Sequence, residues 1–163
     1  MTARWPVTEL DPVRRLRVMA AGLGAAMYAE EHIDAPFAEV WAVASDLERE
    51  LPHLVPTMTA FRMEDGAAAG PGGRRTARAY GPLGYRARFE VLLQPGWCLM
   101  QSRCVVGGMA AVAEGGGTRF AVLGSLRSRT SGLLQDALRP LGEARGHVMI
   151  ARARHRTRVR GRR

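Results

Sequence analysis

Apolar residues along this chain recur with two periods, and the switches between them set off a helical start, a β-rich middle and a helical end. Val13, Leu16, Met19/Ala20 and Leu23 keep helical spacing behind Asp11-Pro12, a good N-cap and first-turn pair. This predicts a short amphipathic helix at about 12–21. Ala25–Asp34 reads as a first strand with two mixed faces, so its orientation stays open. Phe37, Val40, Trp41 and Ala44 return to helical spacing after Pro36, at the first helical position. Ser45-Asp46 breaks that helix and caps a second, Leu47 to Leu51, before Pro52 and Pro56 call for extended backbone.

From there the period is two. Thr57–Glu64 is a second strand, and Asp65–Gly73 a long Gly/Pro/Ala turn. Arg74–Gly81 leads into a Gly-Pro-Leu-Gly turn at 81–84. Tyr85, Ala87, Phe89, Val91 and Leu93 then share one face, and Arg86, Arg88 and Glu90 the other. That is a half-buried antiparallel hairpin with its basic face in solvent, and Tyr85 should point inward. Trp97–Cys104 and Val105–Glu114 continue the sheet, with Gly107-Gly108 suggesting a bulge. Thr118, Phe120, Val122, Gly124 and Leu126 alternate in a last strand. From Ser131 helical spacing resumes to about residue 157, with an imperfection near Pro140. Gly142 and Gly146 weaken this helix by roughly 1 kcal/mol each.

The predicted class is α+β. A curved antiparallel sheet of about six to seven strands wraps around a long C-terminal helix, with two short helices after the first strand. Only the last helix is long enough to cover the apolar face, and a concave apolar space remains between the two.

Ile33-Asp34-Ala35-Pro36, Val40-Trp41, Ser45-Asp46-Leu47 and Pro56 match an "I-x-A-P-x-x-x-V-W-x-x-x-x-D" opening, and Gly116-Gly117-Thr118 a "G-G-T" before the last strand. In these residues the chain resembles the START-like, helix-grip superfamily (SRPBCC), with its Bet v 1-like, polyketide cyclase/dehydrase-like and coenzyme-Q-binding members. The resemblance implies a START-like ligand-binding domain at 25–157, after an N-terminal extension at 1–24 with a short helix and before a basic tail at 158–163. It also implies binding of a hydrophobic polyketide, lipid or quinone; separately, a monomer or homodimer is expected. It implies no catalysis, since the superfamily shares no catalytic signature.

Composition changes this picture in three places. The net charge is +9, but residues 151–163 hold seven Arg and no acid, leaving +2 for the rest. Arg152–Arg163 is therefore a candidate contact for nucleic acid, ribosome or anionic membrane, though it lacks an aromatic for stacking on bases. A solvated tail is the plainer expectation. Cys98 and Cys104 would lie roughly 20 Å apart on an extended strand, too far to bridge, and are expected as buried free thiols in a cytoplasmic setting. The apolar run Val18–Ala29 is too short to span a bilayer.

Candidate chemistry is sparse. Glu30 and His32 share a strand face, and with Tyr85 form the candidate acid/base set for a cyclisation or dehydration. An outward-facing acid–His pair is the alternative. Met58, Tyr85, Phe89, Trp97 and Phe120 are candidate pocket walls, with His53 at the mouth. No metal-ligand spacing joins the four His, and no cofactor is indicated. The glycine runs are not phosphate loops, because no Lys-Ser/Thr follows them.

Overall fold

The computed structural model describes residues 9–24, 27–64, 73–127 and 132–162, with side chains of the last helix from 142 onward. The elements are α1 (Pro12–Leu23), β1 (Met27–Ile33), α2 (Phe37–Ala44), α3 (Leu47–Leu54), β2 (Ala60–Met63), β3 (Arg74–Tyr80), β4 (Arg86–Gln94), β5 (Trp97–Gln101), β6 (Val105–Glu114), β7 (Gly117–Leu126) and α4 (Gly132–Arg160). A 3-10 turn, Pro82–Gly84, joins β3 to β4. The strands form one antiparallel sheet in the order β1-β7-β6-β5-β4-β3-β2. β1 and β2 are thus opposite edges, and α2 and α3 carry the chain between them. Together with α4 this is the helix-grip architecture.

Two apolar cores lie on the two faces. The larger joins Ala29, Ile33, Phe61, Phe89, Met109 and Phe120 of the sheet to Val40, Leu51, Leu54, Met149 and Ile150 of the helices. The smaller puts Val13, Leu16 and Ala20 of α1 over Trp97, Ala110, Ala121 and Leu123. α1 is a lid on the outer face, formed because its i, i+3 stripe meets apolar side chains that would otherwise face water. It starts as the sequence requires: the Asp11 side chain accepts from the Arg14 N–H at 2.9 Å.

Several local expectations are corrected. Gly107-Gly108 is no bulge, because Leu99 stays opposite Gly108 and Met100 opposite Gly107 in a regular ladder. A side chain at Gly108 would meet the Leu16 Cδ1 at 2.8 Å, so the glycine admits α1 onto the sheet. Gly146 does the same for α4, since a Cβ there would meet that of Ala29 at 2.7 Å. α3 does not stop at Leu51 but continues through Pro52, with the Val55 N–H donating to the Leu51 carbonyl at 2.9 Å. Burial of both Leu51 and Leu54 offsets the bond that proline removes. Asp46 is the N-cap residue of α3 but makes no capping bond, its carboxylate turning to Arg160 at 3.2 Å. β5 ends at Gln101, and Cys104 is exposed rather than buried; only Cys98 is buried, which pushes its thiol up to about 12.

The arginine-rich segment is helical to Arg160, and much of it is tied down. Arg154 donates to Glu31 at 2.7 Å, and Arg156 holds buried Glu50 through two bonds of 2.6 and 3.0 Å. Arg160 reaches the Ala42 carbonyl as well as Asp46. These acids lie on β1, α3 and the α2–α3 junction, so the basic segment fastens α4 to the rest of the fold.

Candidate ligand-binding site

The inner face of the sheet is the candidate wall of a ligand site, and its composition follows from the period-two pattern. Ala77 and Ala79 on β3, Phe89 and Val91 on β4, Met100 on β5 and Met109 on β6 all point to it. Met58, Met63, Ala87, Leu93 and Val105 are packed against them and only partly buried. Small Ala and deformable Met side chains make a wall that can adjust to an apolar shape. α4 packs on β1 and β7, with α2 and α3 also against it, so β2–β5 lie farther round the curve. Phe61 and Phe89 meet there, ring centroids 6.2 Å apart.

Three of the predicted wall residues, Met58, Phe89 and Phe120, are on this inner side. Trp97 is not. It points to the outer face, under α1, with the Arg15 guanidinium 5.3 Å over its ring. The strand has the opposite register to the one its aromatic suggested, because Cys98 and Met100 take the inner positions. Tyr85 is also misplaced by the sequence reading. It caps the 3-10 turn ahead of β4 and is 54% exposed, so its ring does not continue the Ala87–Phe89–Val91 stripe.

Glu30, His32 and Tyr85 do not converge. Glu30 faces α1, where it accepts from both Arg17 and the Tyr28 hydroxyl, the latter at 2.5 Å. Burial alone would raise its carboxyl; the bonds from Arg17 and Tyr28, with the charges of Arg17 and Arg119, outweigh that and hold it below its ordinary value. Burial, together with the bond to Glu30, pushes Tyr28 up to about 12. His32 is half exposed and 3.3 Å from Asp34 instead. Glu30 is thus a structural anion linking β1 to α1, and it has no acid/base partner in His32. Glu31, on the other side of the strand, meets His147 at 2.5 Å and Arg154, and the His147 bond, then that of Arg154, keeps it ionised below the usual range despite burial. The Arg156 bond does the same for Glu50. Among the described residues no group of three or more His, Cys, Asp or Glu could hold a metal ion.

Two open clefts of ligand size are lined mainly by charged and polar residues. One, of about 490 Å³, lies between α3 and the end of α4 and is lined by Asp46, Arg49, Glu50, His53, Arg156, Val159 and Arg160. His53 is exposed there, and its carbonyl is 3.5 Å from Arg152. The other, of about 570 Å³, lies beside β4 and includes Arg88, Phe89, Gln101, Ser102, Arg103 and Arg127. Sequence reasoning missed Arg103 and Arg127. The available signal was the polar break Gln101-Ser102-Arg103-Cys104 within an otherwise apolar stretch. No helix among the described residues is long and apolar enough to cross a membrane.

No protein-family model and no curated protein matches the sequence. Solved structures do match in fold. TTHA0849 from Thermus thermophilus is 21% identical with a TM-score of 0.59, over 82% of this chain and 97% of that one. The di-domain ARO/CYC StfQ from the steffimycin biosynthetic pathway is 11% identical with a TM-score of 0.61, over 83% of this chain and 51% of that one. Ara h 8.0201 is 14% identical with a TM-score of 0.52, over 80% of this chain and 95% of that one. The shared feature is the helix-grip fold, as the opening motif around Ile33–Pro56 suggested.

Proposed function

We propose that this protein binds a small hydrophobic molecule against the inner face of its sheet, beside α4. The observation carrying this is the Ala/Met-rich wall, in which Met58, Met63, Ala87 and Leu93 remain only partly buried. A lipid, a polyketide or a quinone fits such a wall, and the fold likeness to a domain of an ARO/CYC protein supports the polyketide class. Binding or carriage is favoured over catalysis because Glu30 is neutralised by Arg17 on the outer face and Tyr85 is solvent-exposed. Docking through the arginine-rich segment is less favoured, since Arg154, Arg156 and Arg160 already have acidic partners.

A thermal-shift series with fatty acids, quinones and aromatic polyketides tests this. A true ligand at 100 times its Kd should raise Tm by about 5–10 °C, by mass action. A folded sample that none of the three classes stabilises would overturn the proposal.

A further inference from the structure

We infer that one end of the sheet docks on an anionic phospholipid membrane, its exposed leucines entering the interface and Arg86, Arg103 and Arg127 facing the lipid phosphates. This goes beyond the ligand proposal and does not depend on it. β3, β5 and β7 run towards this end, and β1, β4 and β6 start from it. It therefore gathers the β3–β4 turn, the β5–β6 turn, the end of β7 and the end of α1. Eight large apolar side chains are exposed among the described residues, and four of them, Leu23, Leu83, Tyr85 and Leu126, stand here. That concentration at one end marks an interaction surface rather than scattered exposure.

The β3–β4 turn is its most telling part. Leu83 is fully exposed at φ +59, the one positive φ outside glycine among the described residues. Full exposure means that no packing contact explains this leucine, and backbone strain of this kind collects at functional positions. Tyr85, half exposed beside it, carries the amphipathic ring that suits a membrane interface. Arg86 follows, its guanidinium 5.9 Å over the Tyr80 ring. The other two arginines stand across a notch in the sheet. The β4–β5 ladder stops at the Glu90–Gln101 rung while β4 continues to Arg86, and the cleft left there is lined by Arg88, Arg103 and Arg127. The Ser102 hydroxyl accepts from the N–H groups of Cys104 at 3.3 Å and Val105 at 3.1 Å, fixing the bend that carries Arg103. The Arg127 N–H donates to the Cys104 carbonyl at 2.7 Å, which ties the end of β7, with Leu126, to that bend. The acids bordering this region are engaged: Glu64 by Arg78 and Arg88, Glu90 by Gln101 and Arg74. Arg86, Arg103 and Arg127 have no acidic partner among the described residues. This end is therefore cationic as well as apolar, and guanidinium groups suit lipid phosphate. A nucleic acid would engage the arginines and leave the leucines unused.

The test is co-sedimentation of the whole chain with phosphatidylcholine vesicles, with and without about one-third phosphatidylserine. Wild type should prefer the anionic vesicles by about a hundredfold, roughly fivefold for each of the three arginines, and the preference should shrink as salt rises. An Arg86→Gln/Arg103→Gln variant, altered at two exposed sites, should keep a preference of only about fivefold. Leu83→Gly, which the turn accepts without strain, should bind the anionic vesicles at least about fivefold more weakly while keeping the salt dependence. No binding to either vesicle, equal affinity for the two, or a Leu83→Gly variant that binds like wild type would overturn the inference. So would tighter binding to a single-stranded RNA than to the anionic vesicles. None of these outcomes touches the apolar ligand site, which the thermal-shift series tests separately.

Discussion

The two halves of the sheet are built to different specifications. Where β7, β6 and β5 run, α1 covers one face and the inner core the other, and β7 is buried at nearly every position from Gly117 to Ser125. In the wing of β3 and β4 the burial alternates: Ala77 and Ala79 are buried while Arg74, Arg78, Arg86 and Arg88 face water. The covered half fixes the fold, and Arg119 of β7 reaches Asp11 at the start of α1. The wing keeps partly open apolar side chains on its inner face, while Arg74, Arg78 and Arg88 on its outer face pair with Glu90 and Glu64.

The largest expected effect lies in the covered half. Leu16→Ala should cost about 3 kcal/mol in urea unfolding, because the fully buried leucine fits over Gly108 and leaves a cavity. Leu93→Ala in the wing, where the side chain is only partly buried, should cost about 1 kcal/mol. Equal costs would break the contrast between the halves.

Next comes Arg156→Ala, which leaves buried Glu50 without its two bonds. A loss of about 1–3 kcal/mol is expected, moderated because the arginine is itself a third exposed. Glu50→Gln should cost less than Arg156→Ala, since it removes the stranded charge; the reverse order in the same unfolding assay would refute this assignment.

Acid should sharpen the same point. The carboxyls of Glu30, Glu31 and Glu50 are all held below their ordinary 4.5, so the unfolded chain takes up protons first as pH falls. Their contribution is complete above about pH 4.5 and disappears as pH drops through the lower folded values. A pH series of unfolding midpoints should therefore fall below pH 4.5, and fall less steeply in a Glu31→Gln/Glu50→Gln variant. A stability flat from pH 5 to 3 would contradict it.

The smallest effect is at the tip of the wing. Leu83 has φ +59 and is fully exposed, a conformation glycine adopts without strain. Leu83→Gly should leave stability unchanged or raise it by up to about 1 kcal/mol. A clear destabilisation in thermal unfolding would mean that the side chain has a packing role.

By itself the sequence determined what depends on near neighbours. The helix starts at Asp11 and Pro36, the Ala77–Val91 hairpin and the order of elements follow from caps, turn residues and periodicity, and these made the helix-grip class legible. Periodicity says which residues share a face, but not what covers that face. Only the tertiary structure decided that α1 roofs the outer face, which puts both mixed faces of β1 to use and turns Trp97 away from the inner wall. The same holds for Gly108 and Gly146, whose purpose is the approach of a helix distant in sequence. It holds too for the arginine segment, whose partners Glu31, Asp46 and Glu50 lie some hundred residues earlier, and for Arg103 and Arg127, which a notch in the sheet brings together.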